Sequence, residues 1–258
     1  MGFLEIRKLT KFFGGLKAVS ELDATVANGE MLGLIGPNGA GKSTLLGMID
    51  GSLRISRGDI VFDGTTITRL APHRRAELGI ARVFQHNVLF KSFSVADNVR
   101  VGCHLQSRIT PLNILFNTKS LEKQEMELEQ RITDTLNFVG LKRYSKESAV
   151  NLSHGMQRVL ALAIALVTRP KLLLLDEPFA GMNAGEIETM MGLIRSVRER
   201  LGVTCVLIEH NLKAVMGLCD RVVVLSFGKK IAEGTPGQVV THPEVLEAYL
   251  GREEDDVA

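Results

Sequence analysis

The chain has 258 residues, 45% hydrophobic and 23% charged, which suits one large domain or a core with a small inserted lobe and excludes a disordered or fibrous chain. Thirty-one Lys and Arg against 29 Asp and Glu leave a charge of +2, which gives no support to nucleic-acid binding through a basic face. Cys103, Cys205 and Cys219 are odd in number and lack metal-ligand spacing, so they point to neither a disulfide framework nor a zinc site, and to a reducing compartment.

Charges in the first thirteen residues fall where a signal peptide would need its apolar region. The longest uncharged apolar stretch, 159–167, is about half of a membrane span. A cytosolic chain is expected, with any membrane contact made through a partner. Alternation at Phe3, Leu4, Ile6 and Leu9 predicts a first strand, residues 22–26 a second, and Asn28-Gly29 a turn. Residues 31–35 form a short apolar run, followed by a glycine-rich loop and a helical pattern over 42–49. Further strands are predicted at 60–62 and 80–84. From about 88 to 169 the texture becomes helical, with helices over 121–139 and 155–167; residues 104–118 fit no period and read as a loop with a short helix. After Pro170, strands at 172–175, 203–208 and 221–225 alternate with helices at 184–200 and 211–218. The expected fold is therefore α/β with a mainly parallel, buried sheet, an antiparallel β region and an inserted helical lobe. The core takes 1–87 and 170–258, and the lobe 88–169. The charges of 195–200 read as a solvated helix face, and the acidic tail 253–256 as frayed.

The loop Gly36-Pro37-Asn38-Gly39-Ala40-Gly41-Lys42-Ser43-Thr44 matches G-x-x-x-x-G-K-[ST] between a predicted strand and helix. Glycines let backbone N–H groups turn inward around phosphates, and the helix N-terminus adds a favourable dipole. Lys42 is placed to reach the β- and γ-phosphates, and the Ser43 hydroxyl to reach Mg²⁺. Residues 172–177, LLLLDE, make an apolar strand ending in two carboxylates. Ligands of α/β sheets bind beyond the carboxyl ends of strands, so Asp176 is the candidate for Mg²⁺ and Glu177 for polarising the attacking water.

Between these motifs lies Leu152-Ser153-His154-Gly155-Met156-Gln157, directly before an apolar helix. Here the chain resembles the ATP-binding cassette family, whose signature is L-S-G-G-Q. His154 replaces the first glycine of that signature, and Met156 stands where its glutamine is expected. The resemblance implies that Ser153 and the Gly155 N–H grip the γ-phosphate of ATP held by a second subunit. Without it, Ser153 would read as an ordinary helix N-cap. It further implies that Gln85 is the glutamine sensing Mg²⁺ or the attacking water. His210 becomes the switch histidine on the γ-phosphate, and Phe13 the aromatic stacked on adenine, with Phe12 its neighbouring candidate. Ala180-Gly181-Met182-Asn183 stands where the family usually has S-A-L-D. That loop, the bulky signature residue and Glu209-His210-Asn211 look like the ATP-binding subunits of branched-chain amino-acid importers. Gly234-Thr235-Pro236 and 247–251 continue the likeness. Urea and short-amide importers share this texture, and a non-transport soluble cassette protein is a further alternative. The implied assembly is a head-to-tail dimer sandwiching ATP and Mg²⁺. Its partners would be permease subunits and, indirectly, a solute-binding protein, with the chain peripheral on the cytoplasmic face of the membrane.

Overall fold

The computed structural model describes residues 2–84, 89–104 and 118–250. Its largest sheet follows from five strands, three buried along their length and two, β6 and β9, largely so. β3 (Met31–Ile35), β6 (Ile80–Val83), β7 (Leu172–Asp176), β8 (Thr204–Ile208) and β9 (Arg221–Ser226) run parallel, and β10 (Lys229–Gly234) closes one edge antiparallel to β9. The order is β10-β9-β3-β8-β7-β6. Because side chains alternate across a strand, each central strand feeds two layers. Leu172 and Leu174 of β7 face one apolar cluster, and Leu173 and Leu175 the other.

On the first face lie α1 (Lys42–Asp50) and a four-stranded antiparallel sheet. That sheet, ordered β2-β1-β4-β5, contains β1 (Leu4–Phe13), β2 (Leu16–Val26), β4 (Arg57–Phe62) and β5 (Thr65–Thr66). On the second face lie helices α3 (Val95–His104), α4 (Thr118–Phe138), α5 (His154–Leu166), α6 (Ala184–Leu201) and α7 (Leu212–Leu218). The short helices α2 (Pro72–Glu77), α8 (Pro236–Val240) and α9 (Pro243–Leu250) complete the order. The parallel sheet, the antiparallel region and the helices after β6 agree with the fold class expected from the sequence.

Boundaries differ where strands are half exposed. β2 begins at Leu16, six residues before the expected start, because Lys17, Ser20 and Glu21 face outward and a left-handed Glu21 (φ 48°) breaks the alternation. β10 was not anticipated: it is an edge strand whose lysines lie in solvent and whose one buried side chain is Ala232. The expected solvated face at 195–200 holds for Arg195, Glu199 and Arg200. Arg198 instead donates to the Gly29 carbonyl and pairs with Asp220, and Val197 is buried. Most of 104–118, together with the tail after 250, lies outside the described residues.

One buried cation fixes the helix that opens the glycine loop. Arg75 of α2, 2% exposed, donates to the Met48 and Ile49 carbonyls at the end of α1 and to Leu70 and Thr68. The Met48 and Ile49 carbonyls are acceptors that a helix C-terminus leaves unpaired. Replacing Arg75 by Met should destabilise the fold by about 3–5 kcal/mol, since several buried carbonyls lose their donors at once. Urea denaturation checks this; a loss below about 1 kcal/mol would show that the cap is dispensable.

Candidate functional site

The carboxyl ends of β3, β8 and β7 lie side by side, with Leu34 opposite Ile208 and Ile208 opposite Asp176. The register therefore gathers the glycine loop, Glu209-His210 and Asp176-Glu177 at one edge. Sequence separation of more than 130 residues is closed by strand pairing alone.

The loop after β3 bends where only glycine fits. A Cβ on Gly36 (φ 146°) would lie 2.0 Å from the Leu225 carbonyl oxygen, and one on Gly41 (φ 101°) 2.5 Å from that of Ala18. Gly41 is also the N-cap of α1, so no side chain caps this nine-residue helix, and its first turn carries no acid. The N–H groups at its start are those a bound phosphate would satisfy. Lys42, 6% exposed, bends back so that Nζ donates to the Gly36 carbonyl at 2.7 Å and the Pro37 carbonyl at 3.0 Å. Burial pushes its ammonium pKa down, opposed by the charges of Glu177 and Asp176. Ser43 is exposed and Thr44 half-buried on the same turn. The Gly228 amide donates to the Ala40 carbonyl, so the β9–β10 turn props the loop from behind.

Asp176 is 4% exposed, and its Oδ2 accepts from Arg82 Nη2 at 2.7 Å. Its Oδ1 is buried with no hydrogen-bond partner. A buried carboxylate oxygen without a donor is costly unless a cation meets it. Among the described residues, no group of three His, Cys, Asp or Glu could hold a metal ion. A Mg²⁺ that takes one carboxylate, a hydroxyl and phosphate oxygens needs no such group, so Asp176 and Ser43 fit it.

Glu177 holds a left-handed backbone, φ 49°, in a region costing a non-glycine residue about 1–3 kcal/mol. Its amide donates to the Ile208 carbonyl, and its Oε1 lies 3.1 Å from His210 Nε2. The turn thus aims a half-exposed carboxylate–imidazole pair outward from the sheet edge. From the sequence Glu209 enters only as part of Glu209-His210-Asn211, with no role of its own. It is 5% exposed and accepts from the amides of Phe179, His210 and Asn211. Burial pushes its pKa up, and those three amides oppose the shift. One buried carboxylate therefore ties the turn after β7 to the turn after β8.

Phe13 stands 45% exposed at the tip of the β1–β2 hairpin, with Lys11 Nζ 4.8 Å from its ring centroid. Phe12 instead lies between Lys17 and Arg57, each 5.8 Å from its ring. The hairpin borders the glycine loop through Ala18, whose carbonyl abuts Gly41. Gln85 lies outside the described residues.

Ser153 and Gly155 stand at the start of α5. Ser153 is its N-cap, with Oγ accepting from the Met156 amide at 3.3 Å. Three contacts join this segment to the turn after Glu177. A Cβ on Gly181 would sit 3.0 Å from His154 Cε1, one on Gly155 would sit 2.4 Å from Glu186 Oε1, and Arg158 Nη2 donates to the Ala180 carbonyl at 3.3 Å. Asn183 and Glu186 form a capping box at the start of α6. The imidazole of His154 thus lies where a side chain at 181 would crowd it, and the positive φ of Gly181 disfavours such a side chain in any case.

The family model for ABC transporters matches residues 19–180, and that for the branched-chain amino acid ATP-binding cassette transporter matches 229–255. The high-affinity branched-chain amino acid transport ATP-binding protein BraF of Pseudomonas aeruginosa is 38% identical over 96% of this chain and 97% of its own length. LivG of Escherichia coli K12, with the same description, is 37% identical over the same shares. A crystal structure of a nucleotide-free ATP-binding cassette from an ABC transporter superposes with a TM-score of 0.84 at 31% identity, covering 96% of this chain and 99% of that one. The ADP conformation of an ATP-binding cassette gives 0.85 at 32% identity, covering 97% and 99%.

Two measurements probe this geometry. Lys42→Ala should weaken ATP binding roughly ten- to a hundredfold, the scale of a charge-assisted hydrogen bond, and calorimetry giving an unchanged Kd would remove it from the site. Gly181→Ala should cost about 2 kcal/mol through backbone strain and overlap with His154, but only about 1 kcal/mol in a His154→Gly background, where the strain alone remains. Equal costs in both backgrounds, read by urea denaturation, would dismiss the contact.

Proposed function

Since this chain belongs to the ATP-binding cassette transporter family, we propose that it powers uptake of branched-chain or related amino acids as one half of an ATP-closed dimer. The chain is an ATPase of that family. One observation carries the reading of its site: the glycine loop, Asp176 and the Glu177–His210 pair meet at one edge of the parallel sheet. The cargo reading is supported by the printed descriptions of relatives alike over nearly the whole chain. The match of the carboxyl-terminal family model supports it independently.

In this reading the amides of 36–44 and the Lys42 ammonium receive the β- and γ-phosphates, and Phe13 stacks on adenine. Ser43 and Asp176, with Gln85 as the further candidate, would hold Mg²⁺, which would supply charge neutralisation at the phosphates. Glu177 accepts a proton from the attacking water, and His210, 3.1 Å from its carboxylate, fixes its direction and contacts the γ-phosphate. The work is positioning and electrostatic stabilisation more than covalent chemistry. Lys42 is suited to it because its surroundings are already dry, where charge acts at short range with little screening.

The partner for Ser153 and Gly155 is the nucleotide of a second, similar chain. An N-cap serine and a glycine at the start of a 13-residue helix are suited to an anion. Division into a core of 1–87 and 170–258 and a lobe of 88–169 belongs to the same reading, as does attachment to permease subunits on the cytoplasmic face of the membrane. Among the described residues no helix is long and apolar enough to cross a membrane. Exposed Phe90, Phe93 and Val150 offer an apolar face for a permease. Phe90 and Phe93 stack at 5.1 Å, and the Val150 amide donates to the Lys91 carbonyl between them. A solute-binding protein would then supply the cargo from outside.

Replacing Glu177 by Gln should retain ATP binding, slow hydrolysis about 10²–10⁴-fold and accumulate an ATP-bound dimer in size-exclusion chromatography. Wild-type turnover by that variant would strip Glu177 of its role. Uptake of radiolabelled leucine into vesicles carrying the reconstituted transporter tests the cargo, and transport of an amide with no leucine uptake would reassign it.

A further inference from the structure

A lone arginine inside an apolar strand needs a partner, and Arg82 of β6 has two. Its side chain is 10% exposed; Nη1 lies 2.7 Å from Asp50 Oδ2 and Nη2 lies 2.7 Å from Asp176 Oδ2. Phe84 stacks beneath it, with the guanidinium carbon 4.8 Å from the ring centroid. Asp50 is the last residue of α1, the helix whose first turn bears Lys42 and Ser43. Asp176 ends β7. One rigid guanidinium therefore spans from the far end of the loop's helix to the strand that carries the buried carboxylate. Its planar fork fixes the spacing between the two acids, which a lysine ammonium on a flexible stem does not.

The consequence falls on the other oxygen of Asp176. Oδ2 is taken by the guanidinium, which sets the rotation of the carboxyl group. Oδ1 is left buried without a hydrogen-bond donor. We propose that Arg82 is a positioning residue for the divalent cation: by gripping Asp50 and Asp176 Oδ2 together, it presents Asp176 Oδ1 to the metal that accompanies the nucleotide. This rests on Asp176 being a metal ligand. Groups that orient a metal ligand from behind commonly tune metal affinity ten- to a hundredfold.

The test is ATP affinity of the full chain by calorimetry, with and without Mg²⁺, for wild type, Arg82→Lys, Asp50→Asn and Asp176→Asn. In Arg82→Lys, affinity without Mg²⁺ should stay within about twofold of wild type, while the gain from Mg²⁺ falls roughly tenfold. Asp50→Asn should move the same way by less, and Arg82→Lys/Asp50→Asn should be no worse than Arg82→Lys alone. A Mg²⁺ gain in Arg82→Lys equal to or above that of wild type, with the gain lost in Asp176→Asn, overturns the role of Arg82 and leaves the metal ligand standing. A full gain in Asp176→Asn overturns the metal assignment itself. Should Arg82→Lys fail to fold in a thermal melt, Asp50→Asn carries the test, and an unchanged Mg²⁺ gain there refutes the proposal.

Discussion

A buried ammonium beside two carboxylates, one buried and one half-exposed, is a balance that fails if any member is removed. Lys42 lies almost fully out of water, where its charge is costly, and what keeps it there is the pair of loop carbonyls it donates to and the negative field of Asp176 and Glu177. Those carboxylates are costly in turn and lean on Arg82, on His210 and on the ammonium. In the proposed reading a triphosphate with its cation would meet this arrangement at the points where the chain supplies surplus: amide donors at the helix start and an unmatched oxygen on Asp176. The sheet exists, in functional terms, to hold these opposed charges at fixed spacing.

Fixed spacing comes from apolar strands and from a few polar ties between their ends. Five strands set the relative height of the loop, Asp176 and His210 through register. Glu209 then locks the turns after β7 and β8 by collecting three amides on one carboxylate. Arg75 and Arg82 fix the end of α1 from two sides. The strained backbone of Glu177 is held by this frame, and it places a carboxylate outside the sheet edge rather than in it. The segment 153–155 lies against the turn after Glu177 and the start of α6 through His154, Glu186 and Arg158, so it and Glu177 are held in one packed unit.

Much of this was legible because backbone constraints write themselves into residue type. The glycine loop could be found since Gly36 and Gly41 have carbonyls where a Cβ would be, and LLLLDE since an apolar strand ending in acids has few other uses. The parts that were not legible have partners distant in the chain. Arg82 is one charge in a short strand until folding brings Asp50 and Asp176 to it. Glu209 carries no role of its own in the sequence until its amide donors are known, although its place after an apolar strand parallels that of Asp176. β10 carries too little apolar surface to show a period. α8 was not predicted: Thr235-Pro236 entered only as a family likeness, and a five-residue helix is too short to show a period. Met156 and His154 blurred the signature, and the closeness of His154 to Gly181 is visible only in three dimensions.

The central claim is that a triphosphate sits at the seam of two such chains, each contributing half of its pocket. A structure of the chain with ATP and Mg²⁺, solved as a dimer, tests it through the distance from Ser153 Oγ to the γ-phosphate bound at the other chain's Lys42. The account predicts hydrogen-bond contact there, together with the Gly155 amide. A nucleotide-bound dimer in which residues 153–155 face solvent, with the phosphates touched by one chain alone, would contradict it.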